Sequence, residues 1–380
     1  MFNNARSATS AQLSTLNSQL STLKTMNIAV GLSGGVDSSV AAALLARAGH
    51  RVCGVTMTLW REGKYRGGDR DACFGPGEAA DCARAARVCA ALHIPHYVFD
   101  CAEEYEKIVL AYFRAEYLAG RTPNPCVRCN GLMKFGVLLA QARAAGLCFD
   151  KFATGHYVRN GERDGRQFLQ MARDRAKDQS YFLYRLSQTQ IGGAWFPLGE
   201  MTKPEVRAVA RELSLETGDL PDSQDFYSGD HSELLGAPDR EGDIIDACGK
   251  VVGKHRGYWH YTIGQRKGLG VAAKQPLYVV ALDAERNAVV VGSAAAVKGR
   301  VFQVDDLHWV AVAAPTGAFN ATVRIRSSAT PVAAKISPDD DGKWQVETAT
   351  ELNAIAPGQS AVFYADELVL GGGRICKSRV

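Results

Sequence analysis

The sequence predicts an α/β protein with a doubly wound, parallel-sheet domain, a small central domain and a C-terminal antiparallel β-barrel. Apolar strand-like runs alternate with helical runs from residue 27 to about residue 211. Clear periodicity is then lost in a stretch rich in Gly, Asp and His. After Gly270, short β-rich runs separated by turn residues dominate. The expected domains therefore cover residues 26–211, 212–270 and 271–380, after an extension at residues 1–25.

Strands and helices alternate throughout the first domain. Strands are expected at residues 28–32, 52–59, 96–100 and 150–154, and helices at 37–48, 79–92 and 103–118. Such alternation is typical of a parallel sheet that binds ligands at the carboxyl ends of its strands. In the last domain, strands are expected at residues 277–282, 288–291, 301–304, 321–325, 344–346 and 361–364. These short runs indicate a small barrel or sandwich.

Composition is that of an ordinary globular protein. The chain has 380 residues, 46% of them hydrophobic and 22% charged, and a net charge of +4, which permits a polyanionic partner without requiring one. No apolar run approaches the roughly 20 residues of a membrane span, so we expect no membrane association. Residues 1–25 are rich in Ser, Thr and Asn and are expected to form a disordered extension.

The ten cysteines do not suggest a disulfide scaffold in a chain of this length. No secretory apolar segment precedes them, so a reduced, cytoplasmic protein is expected. Most of the cysteines are then small buried apolar residues.

A glycine-rich loop follows the first predicted strand and reads SGGVDSS at residues 33–39. Its glycines allow the backbone to approach a phosphate closely, and its serines add hydroxyl groups at the start of a helix. It is not a Walker A loop, because no Gly-Lys-Ser/Thr follows the glycines. The run instead resembles the PP-loop of the ATP pyrophosphatases, which bind ATP through its pyrophosphate and usually transfer AMP to a substrate oxygen.

A second motif reads GRTPNPCVRCN at residues 120–130. Its two prolines prevent a helix until the cysteines, so we expect a helix to begin near Asn130. The side chains expected to face the core are Leu132, Phe135, Leu138 and Leu139. Cys129 would lie near the helix N-terminus, beside Arg128 and Lys134, where its thiolate is favoured. It is the predicted nucleophile.

Three interpretations apply to the Cys126/Cys129 pair. A structural zinc site would need a second C-x-x-C or a pair of histidines, which the sequence lacks. A thioredoxin-like pair would normally lie between a strand and a helix at the start of a βαβ unit. A sulfur-handling or iron–sulfur pair fits best beside an ATP-activating loop.

Together these motifs make the chain similar to the tRNA-specific 2-thiouridylases, which replace oxygen with sulfur at C2 of the wobble uridine. The similarity extends from residue 26 to the C-terminus and rests on five blocks in the family's order: residues 31–39, 119–135, 153–157, 177–183 and 260–270. The resemblance implies a PP-loop domain, a small central domain and a β-barrel. It also implies ATP and Mg²⁺, the anticodon stem-loop of tRNA as substrate, and a sulfur-donor or relay protein.

The resemblance also implies site residues. The ATP site would comprise Gly31, Leu32, Ser33, Gly34, Gly35, Val36, Asp37, Ser38, Met57 and Gly155. The tRNA contacts would be Asn124, Pro125, Cys126, Lys177, Asp178, Gln179, Arg324 and Ile325. Cys129 matches the family's nucleophile, and Cys126 is expected as a second catalytic cysteine. Asp37 is expected to help hold Mg²⁺.

One segment departs from the family. Members often carry a second cysteine, which accepts the persulfide sulfur, in a stretch that here reads DSQDFY at residues 222–227. Tyr227 takes that place and cannot carry sulfur. Either Cys126 and Cys129 cycle through persulfide and disulfide, or this pair binds an iron–sulfur cluster that holds external sulfide. Cys73 and Cys82 are candidates for a further cluster ligand.

The favoured function is ATP-dependent 2-thiolation of the wobble uridine. Adenylation of the uracil C2 oxygen would be followed by attack of cysteine-borne or cluster-borne sulfur. One alternative is a PP-loop ligase such as argininosuccinate or GMP synthetase, which uses a nitrogen nucleophile and would not need the cysteine pair. Another is a tRNA-binding or sulfur-relay protein without catalysis, which would have little use for a pyrophosphate loop.

Overall fold

The structure, a computed structural model, describes residues 24–68, 72–218, 225–339 and 341–379. The expected extension lies almost wholly outside these ranges, as do residues 222–224 of the DSQDFY stretch. The chain divides into two compact units, the first comprising Met1–Tyr105 and Cys129–Gly229, the second Glu106–Arg128 and Asp230–Val380.

A five-stranded parallel sheet organises the first unit. Its strands follow the order β4-β2-β1-β5-β8. The strands of this unit are β1 (Asn27–Gly31), β2 (Arg51–Thr58), β3 (Ala72–Phe74), β4 (His96–Asp100), β5 (Lys151–Thr154), β6 (Val158–Arg163), β7 (Arg166–Met171), β8 (Ala194–Trp195) and β9 (Asp225–Tyr227). The predicted parallel-sheet domain is confirmed, with all four predicted strands within one residue at each end. The two-residue β8 is too short to show a period, and β3 pairs with β9 outside this sheet.

Nine α-helices are found in the described residues. They are α1 (Val36–Arg47), α2 (Glu78–Ala91), α3 (Ala102–Tyr105), α4 (Ala111–Leu118), α5 (Pro125–Arg128), α6 (Leu138–Ala144), α7 (Gln188–Gly193), α8 (Lys203–Glu212) and α9 (His231–Leu235). π-helical segments at Glu106–Leu110 and Cys129–Val137 join α3 to α4 and α5 to α6. None of these helices combines the length and apolar character that crossing a membrane requires.

Two helix predictions need correction. The predicted helix at residues 103–118 is interrupted by the first π-helical segment. The helix after the Pro-Cys loop begins at Pro125 rather than near Asn130, because proline suits a first helical position and the Asn124 side chain accepts a hydrogen bond from the Val127 N–H at 3.3 Å. Leu132 was expected in the core but is 45% exposed, whereas the other three predicted core residues of this helix are buried.

Helix α1 is buried on most of its surface, which fixes the direction of the glycine-rich loop before it. One side packs against Val206 and Val209 of α8, and the other faces Ile28 and Val30 of β1. A capping box of Thr202 and Glu205 starts α8. The small side chains of α1 allow this close packing between sheet and helix.

A four-stranded sheet and a closed barrel form most of the second unit. Its strands are β10 (Gly242–Ile245), β11 (Val251–His255), β12 (Tyr278–Asp283), β13 (Ala288–Gly292), β14 (Lys298–Trp309), β15 (Phe319–Arg324), β16 (Val332–Pro338), β17 (Trp344–Asn353), β18 (Ser360–Ala365) and β19 (Leu368–Arg379). Strands β14 to β19 are antiparallel, and pairing of β14 with both β17 and β19 closes the barrel around a core that includes Phe302 and Phe363.

The predicted runs at 277–282 and 288–291 are strands, but they do not belong to the barrel. As β12 and β13 they join β10 and β11 in the four-stranded sheet. The link is the parallel pairing of β10 with β13, between segments more than 40 residues apart. Periodicity within a strand does not reveal such a distant partner.

Candidate nucleotide and sulfur site

The glycine-rich loop joins β1 to α1 and leaves the helix N-terminus open. Gly34 has a φ of +73°, and a Cβ at this position would collide with the carbonyl oxygen of Asp81, so only glycine fits. Gly35 precedes α1 in an extended conformation, and no side chain caps the first turn. The first-turn N–H groups and the helix dipole can therefore receive an anion such as pyrophosphate.

Hydroxyl groups hold this loop in shape. The Ser38 hydroxyl donates to the Gly35 carbonyl at 3.1 Å and accepts from the Ser33 N–H at 3.3 Å. Thr56 of β2 donates to the Leu32 carbonyl at 2.9 Å. The loop is thus ordered by its own serines and by the neighbouring strand before any ligand binds.

Gly155, which follows β5, lies directly against the loop. A Cβ here would be 2.6 Å from the carbonyl carbon of Asp37 and 2.6 Å from the backbone nitrogen of Ser38. Met57 is half-buried near the end of the adjacent strand β2. The structure therefore brings together the predicted ATP-site residues of β1, β2 and β5 at the carboxyl edge of one sheet.

Asp37 is paired with protein groups. Lys203 donates to both of its carboxylate oxygens, at 2.7 and 2.8 Å, and the Tyr157 hydroxyl donates to Oδ1 at 2.8 Å. Lys203 is buried, whereas Asp37 remains partly exposed. The Lys203 ammonium thus neutralises this carboxylate, and Mg²⁺ binding by Asp37 stays a prediction.

Residues 177–179, the predicted tRNA contacts, lie next to the nucleotide site, because Gln179 is hydrogen-bonded to Tyr157 and Tyr157 to Asp37. Gln179 accepts from the Tyr157 N–H through its side chain at 2.9 Å and donates its own N–H to the Tyr157 carbonyl at 2.8 Å. Asp178 is buried and accepts from the Ala172 N–H at 3.0 Å and the Ser180 hydroxyl at 2.8 Å. Lys177 is half-buried. Contact of this block with tRNA stays a prediction.

Cys129 begins the second π-helical segment and is half-buried. Burial raises the pKa of its thiol to about 11, while the nearby Lys134 ammonium lowers that pKa. Arg128 donates to the Ile108 carbonyl at 2.7 Å and lies over the Tyr112 ring. The expected thiolate is therefore wrong for this state of the protein, in which desolvation outweighs the positive charge.

Gln190 stabilises the segment that carries Cys129. Its side-chain amide donates to the carbonyls of Gly131 at 2.8 Å and Phe135 at 2.9 Å. Its side-chain oxygen accepts from the Ser187 N–H, completing a capping box at the start of α7. π-helical turns are rare in proteins, and these two hydrogen bonds help to keep this one in its conformation.

Cys101 shows where Cys129 lies relative to the sheet. It directly follows β4, is fully buried, and has its sulfur 3.4 Å from the Gln141 side-chain oxygen. Burial raises the pKa of Cys101 to about 12, and the charge of Cys129 contributes to this rise. Helix α3, which begins at the next residue, contacts the Cys129–Val137 segment, so this segment lies near the carboxyl end of β4. That end is two strands, or about 10 Å, from the β1 end that carries the loop.

The Pro-Cys loop is anchored within the second unit. The Thr122 N–H donates to the Pro357 carbonyl at 2.8 Å, and the Gln359 amide donates to the Pro123 carbonyl at 3.1 Å. Asn124 and Cys126 are half-buried, and the intervening Pro125 is buried. These contacts fix the approach of the chain to α5.

A buried carboxylate supports the same loop. Glu116 of α4 accepts two hydrogen bonds from Arg121, both at 2.7 Å, and one from Arg374 of β19 at 3.3 Å. Arg374 also donates to both carboxylate oxygens of Asp305, at 3.0 and 3.1 Å, and this pairing raises the pKa of the guanidinium. Helix α4 and the barrel are thereby joined by charge-assisted bonds.

Arg324 and Ile325 are buried in the barrel domain. The Arg324 guanidinium donates to the Ser327 carbonyl and lies 5.9 Å from the Tyr364 ring centroid. Ile325 belongs to the barrel core. Both have structural roles here, and their contact with tRNA stays a prediction.

A preassembled metal site is not found in the part of the chain that the structure describes, since no three His, Cys, Asp or Glu side chains are grouped there to hold an ion. An iron–sulfur cluster on Cys126 and Cys129 therefore stays a prediction. Tyr227, at the position of the family's second cysteine, is 2% exposed, and its hydroxyl accepts from the Gly67 N–H at 3.2 Å.

Sequence reasoning missed several residues that shape this site. Lys203 lies beside Pro204 at the start of α8 and belongs to none of the five sequence blocks. Tyr157 ends the block at residues 153–157 but was given no role there, and Gln190 belongs to no motif. Tyr157 and Lys203 bind Asp37 across 120 and 166 positions of sequence. Gln190 binds Gly131 and Phe135 across 59 and 55 positions. A single sequence does not reveal contacts between residues so far apart.

Three protein-family models match consecutive segments of this chain, from residue 26 to residue 375. The pattern described as tRNA methyl transferase HUP domain matches residues 26–227. That of the tRNA methyl transferase PRC-barrel domain matches residues 235–293, and that of the aminomethyltransferase β-barrel domain matches residues 299–375.

Curated relatives match over nearly their full length. The tRNA-specific 2-thiouridylase MnmA of Endomicrobium trichonymphae is 44% identical over 92% of this chain and 99% of its own. That of Chloroflexus aurantiacus is 47% identical over 93% of this chain and 99% of its own. Among solved structures, NMN synthetase from Francisella tularensis matches with a TM-score of 0.35 and 17% identity, over 60% of this chain and 77% of its own. Because these two relatives match so much of this chain at such identity, the chain belongs to the tRNA-specific 2-thiouridylase family.

Proposed function

We propose that this enzyme 2-thiolates the wobble uridine of tRNA by adenylating the C2 oxygen with ATP and then replacing it with sulfur. The 44% and 47% identity to curated 2-thiouridylases, over 92% and 93% of this chain, supports tRNA as the substrate. The order of the two chemical steps is supported by the site itself.

One observation carries the proposal. An uncapped helix N-terminus follows β1, and the segment that begins at Cys129 contacts the helix that follows β4, at the same edge of one parallel sheet. The first can bind the pyrophosphate of ATP, and the second can take part in sulfur chemistry. A ligase with a nitrogen nucleophile would have no use for a cysteine at this edge.

The chemistry explains why both are needed. A uracil carbonyl oxygen is a poor leaving group. Its attack on the α-phosphorus of ATP releases pyrophosphate and converts that oxygen into part of AMP, which leaves easily. A sulfur nucleophile then adds to C2, and AMP departs with the electron pair of the C2–O bond. The base must leave the anticodon stack to reach the site.

The protein residues divide this work. The loop N–H groups receive the pyrophosphate, and Lys203 neutralises the nearby Asp37 carboxylate by pairing with both of its oxygens. Mg²⁺, when bound with ATP, neutralises phosphate charge. The described residues form no group of ligands for it, so we assign it no protein-bound step. Cys129 is one of the thiols that take part in the sulfur transfer.

Sulfur is proposed to travel on cysteine rather than on a cluster. A persulfide needs one thiol to carry it and a second to release it, whereas a cluster needs at least three protein ligands that the described residues do not bring together. A sulfur-donor or relay protein in the cytoplasm would supply the persulfide. We propose that the anticodon stem-loop contacts Asn124, Pro125, Cys126, residues 177–179, Arg324 and Ile325.

Mass spectrometry of tRNA nucleosides tests the proposal. An unmodified tRNA transcript is incubated with the protein, ATP and a sulfide or persulfide source, and the release of pyrophosphate is measured in parallel. We expect 2-thiouridine at the wobble position and pyrophosphate release that requires tRNA. Cys129→Ala should abolish the thionucleoside, whereas Cys148→Ala, at an exposed cysteine of the same unit, should not. Pyrophosphate release without tRNA, or with an amino-group acceptor instead, would contradict the proposal.

A further inference from the structure

Sulfur transfer from a persulfide requires two thiols. Attack of a persulfide on C2 leaves the base joined to the carrier cysteine through an S–S bond, and a second thiol must break that bond. Cys129 is one of the two. Tyr227 cannot be the other, because it has no sulfur and its ring is buried against Phe74 with ring centroids 5.9 Å apart.

Two nearby cysteines are poor carriers. Cys101 is fully buried, and its thiol donates a hydrogen bond to the Gln141 side chain. A persulfide donor protein therefore has no access to its sulfur. Cys82 lies on α2, where burial and the Glu78 carboxylate both raise the pKa of its thiol. A carrier must be accessible to the donor and close to Cys129.

Packing places Cys73 close to this region. Its neighbour Phe74 is buried and packs on the Tyr105 ring with centroids 5.1 Å apart. The Tyr105 N–H donates to the carbonyl of Cys101 at 2.9 Å, within the helical turn that Cys101 begins. Strand β3 therefore packs on helix α3, which contacts the segment that begins at Cys129.

The direction of the strand exposes the sulfur. Phe74 pairs with Tyr227 of β9 and faces inward, so Cys73, one residue earlier, faces the opposite side of the strand. Cys73 is exposed, and helix α3, on which its neighbour Phe74 packs, contacts the segment that begins at Cys129. The pair thus combines an accessible thiol with a sheltered one.

We propose that Cys73 carries the persulfide and that Cys129 resolves it, an assignment that rests on the proposed thiolation. The sequence analysis left open whether Cys126 and Cys129 cycle through persulfide and disulfide or bind an iron–sulfur cluster. The structure instead assigns the carrier to β3, beside the strand that bears Tyr227.

Each step balances. The Cys73 thiolate attacks the outer sulfur of the donor persulfide, the donor S–S bond breaks, and the donor leaves as a thiol. The terminal sulfur of the Cys73 persulfide then forms a bond to C2 while AMP leaves. Finally the Cys129 thiolate attacks the sulfur of Cys73, and the electron pair of the broken S–S bond stays on the sulfur attached to C2. The products are 2-thiouridine and a Cys73–Cys129 disulfide, which an external dithiol reduces.

A single-turnover experiment without reductant tests this assignment. Wild-type protein is loaded with glutathione persulfide, freed of excess reagent, and mixed with ATP and unmodified tRNA. Peptide mass spectrometry should find the added sulfur on Cys73 before mixing and a Cys73–Cys129 disulfide afterwards. A disulfide between Cys126 and Cys129, or added sulfur confined to another cysteine, would overturn the proposal.

Variants provide the second measurement. With glutathione persulfide as the source, Cys73→Ser should lower the thiolation rate about tenfold or more, whereas the exposed control Cys148→Ser should keep it. Cys73→Ser should still release pyrophosphate with tRNA, which shows that it is folded. A Cys73→Ser rate equal to that of the wild type would reject the carrier role. If the wild-type protein itself releases no pyrophosphate with tRNA, the proposed function fails instead, whichever cysteine carries sulfur.

Discussion

Lys203 of α8 donates to both carboxylate oxygens of Asp37, at 2.7 and 2.8 Å, across 166 residues of sequence. The pair lies at the start of α1, where the phosphates of ATP are proposed to bind. Asp37 suits a helix N-terminus, but an unpaired carboxylate beside phosphates would repel them. Lys203 therefore joins the packing of α1 to the charge of the nucleotide site.

Removing this lysine should weaken both the fold and nucleotide binding. We expect Lys203→Met to destabilise the protein by about 2 kcal/mol, since the lysine is buried but the carboxylate is partly exposed. ATP affinity should fall as well. Urea unfolding and isothermal titration with ATP measure the two effects. The double variant Lys203→Met/Asp37→Asn should recover most of the lost stability, and an equal loss in the double variant would rule out charge pairing as the cause.

Gly155→Ala should disturb the nucleotide site without damaging the sheet. The new methyl group would lie 2.6 Å from backbone atoms of Asp37 and Ser38, so the loop must shift. We expect a cost of about 1–3 kcal/mol and weaker ATP binding. Gly77→Ala is the matched control, because Gly77 has a helical backbone and no atoms near its added Cβ. Equal ATP affinities in the two variants would contradict this role of Gly155.

The reactivity of Cys129 should depend steeply on pH. Because burial raises its pKa to about 11, its thiolate fraction and alkylation rate should grow about tenfold per pH unit through the neutral range. The Lys134 ammonium lowers this pKa, so Lys134→Met should raise the pKa further and slow alkylation at any given pH. Iodoacetamide labelling followed by peptide mass spectrometry measures the rate, with the exposed Cys148 as internal reference. Faster labelling in Lys134→Met would show that the lysine acts in another way.

Gln190→Leu should loosen the π-helical segment that holds Cys129. The variant loses the side-chain hydrogen bonds to the carbonyls of Gly131 and Phe135, which should destabilise the protein by about 1–3 kcal/mol. Thiolation should fall more than ATP binding does, because the nucleotide loop makes no use of Gln190. Thr189→Ala, at an exposed position of the same helix, serves as control. Unchanged thiolation in Gln190→Leu would show that the segment keeps its conformation without this side chain.

Features with a local signal were predictable from the sequence. The strands of the parallel sheet, the glycine-rich loop and helix α1 each have a period or a turn residue that marks them. The Cys129–Val137 segment was not predictable as a π-helix, since its conformation relies on Gln190, more than 50 residues away. The burial that raises the Cys129 pKa likewise arises from distant segments. The parallel pairing of β10 with β13 left no trace in the pattern of either strand.

The buried contact between Glu116 and Arg374 has a consequence for biosynthesis. The two residues are 258 positions apart, and translation at about 5–20 residues per second separates their appearance by about 13–50 s. For that interval the nascent chain presents a carboxylate and an apolar helix whose final neighbours have not been made. Ribosome-associated chaperones would be expected to shield this helix until the last barrel strand emerges.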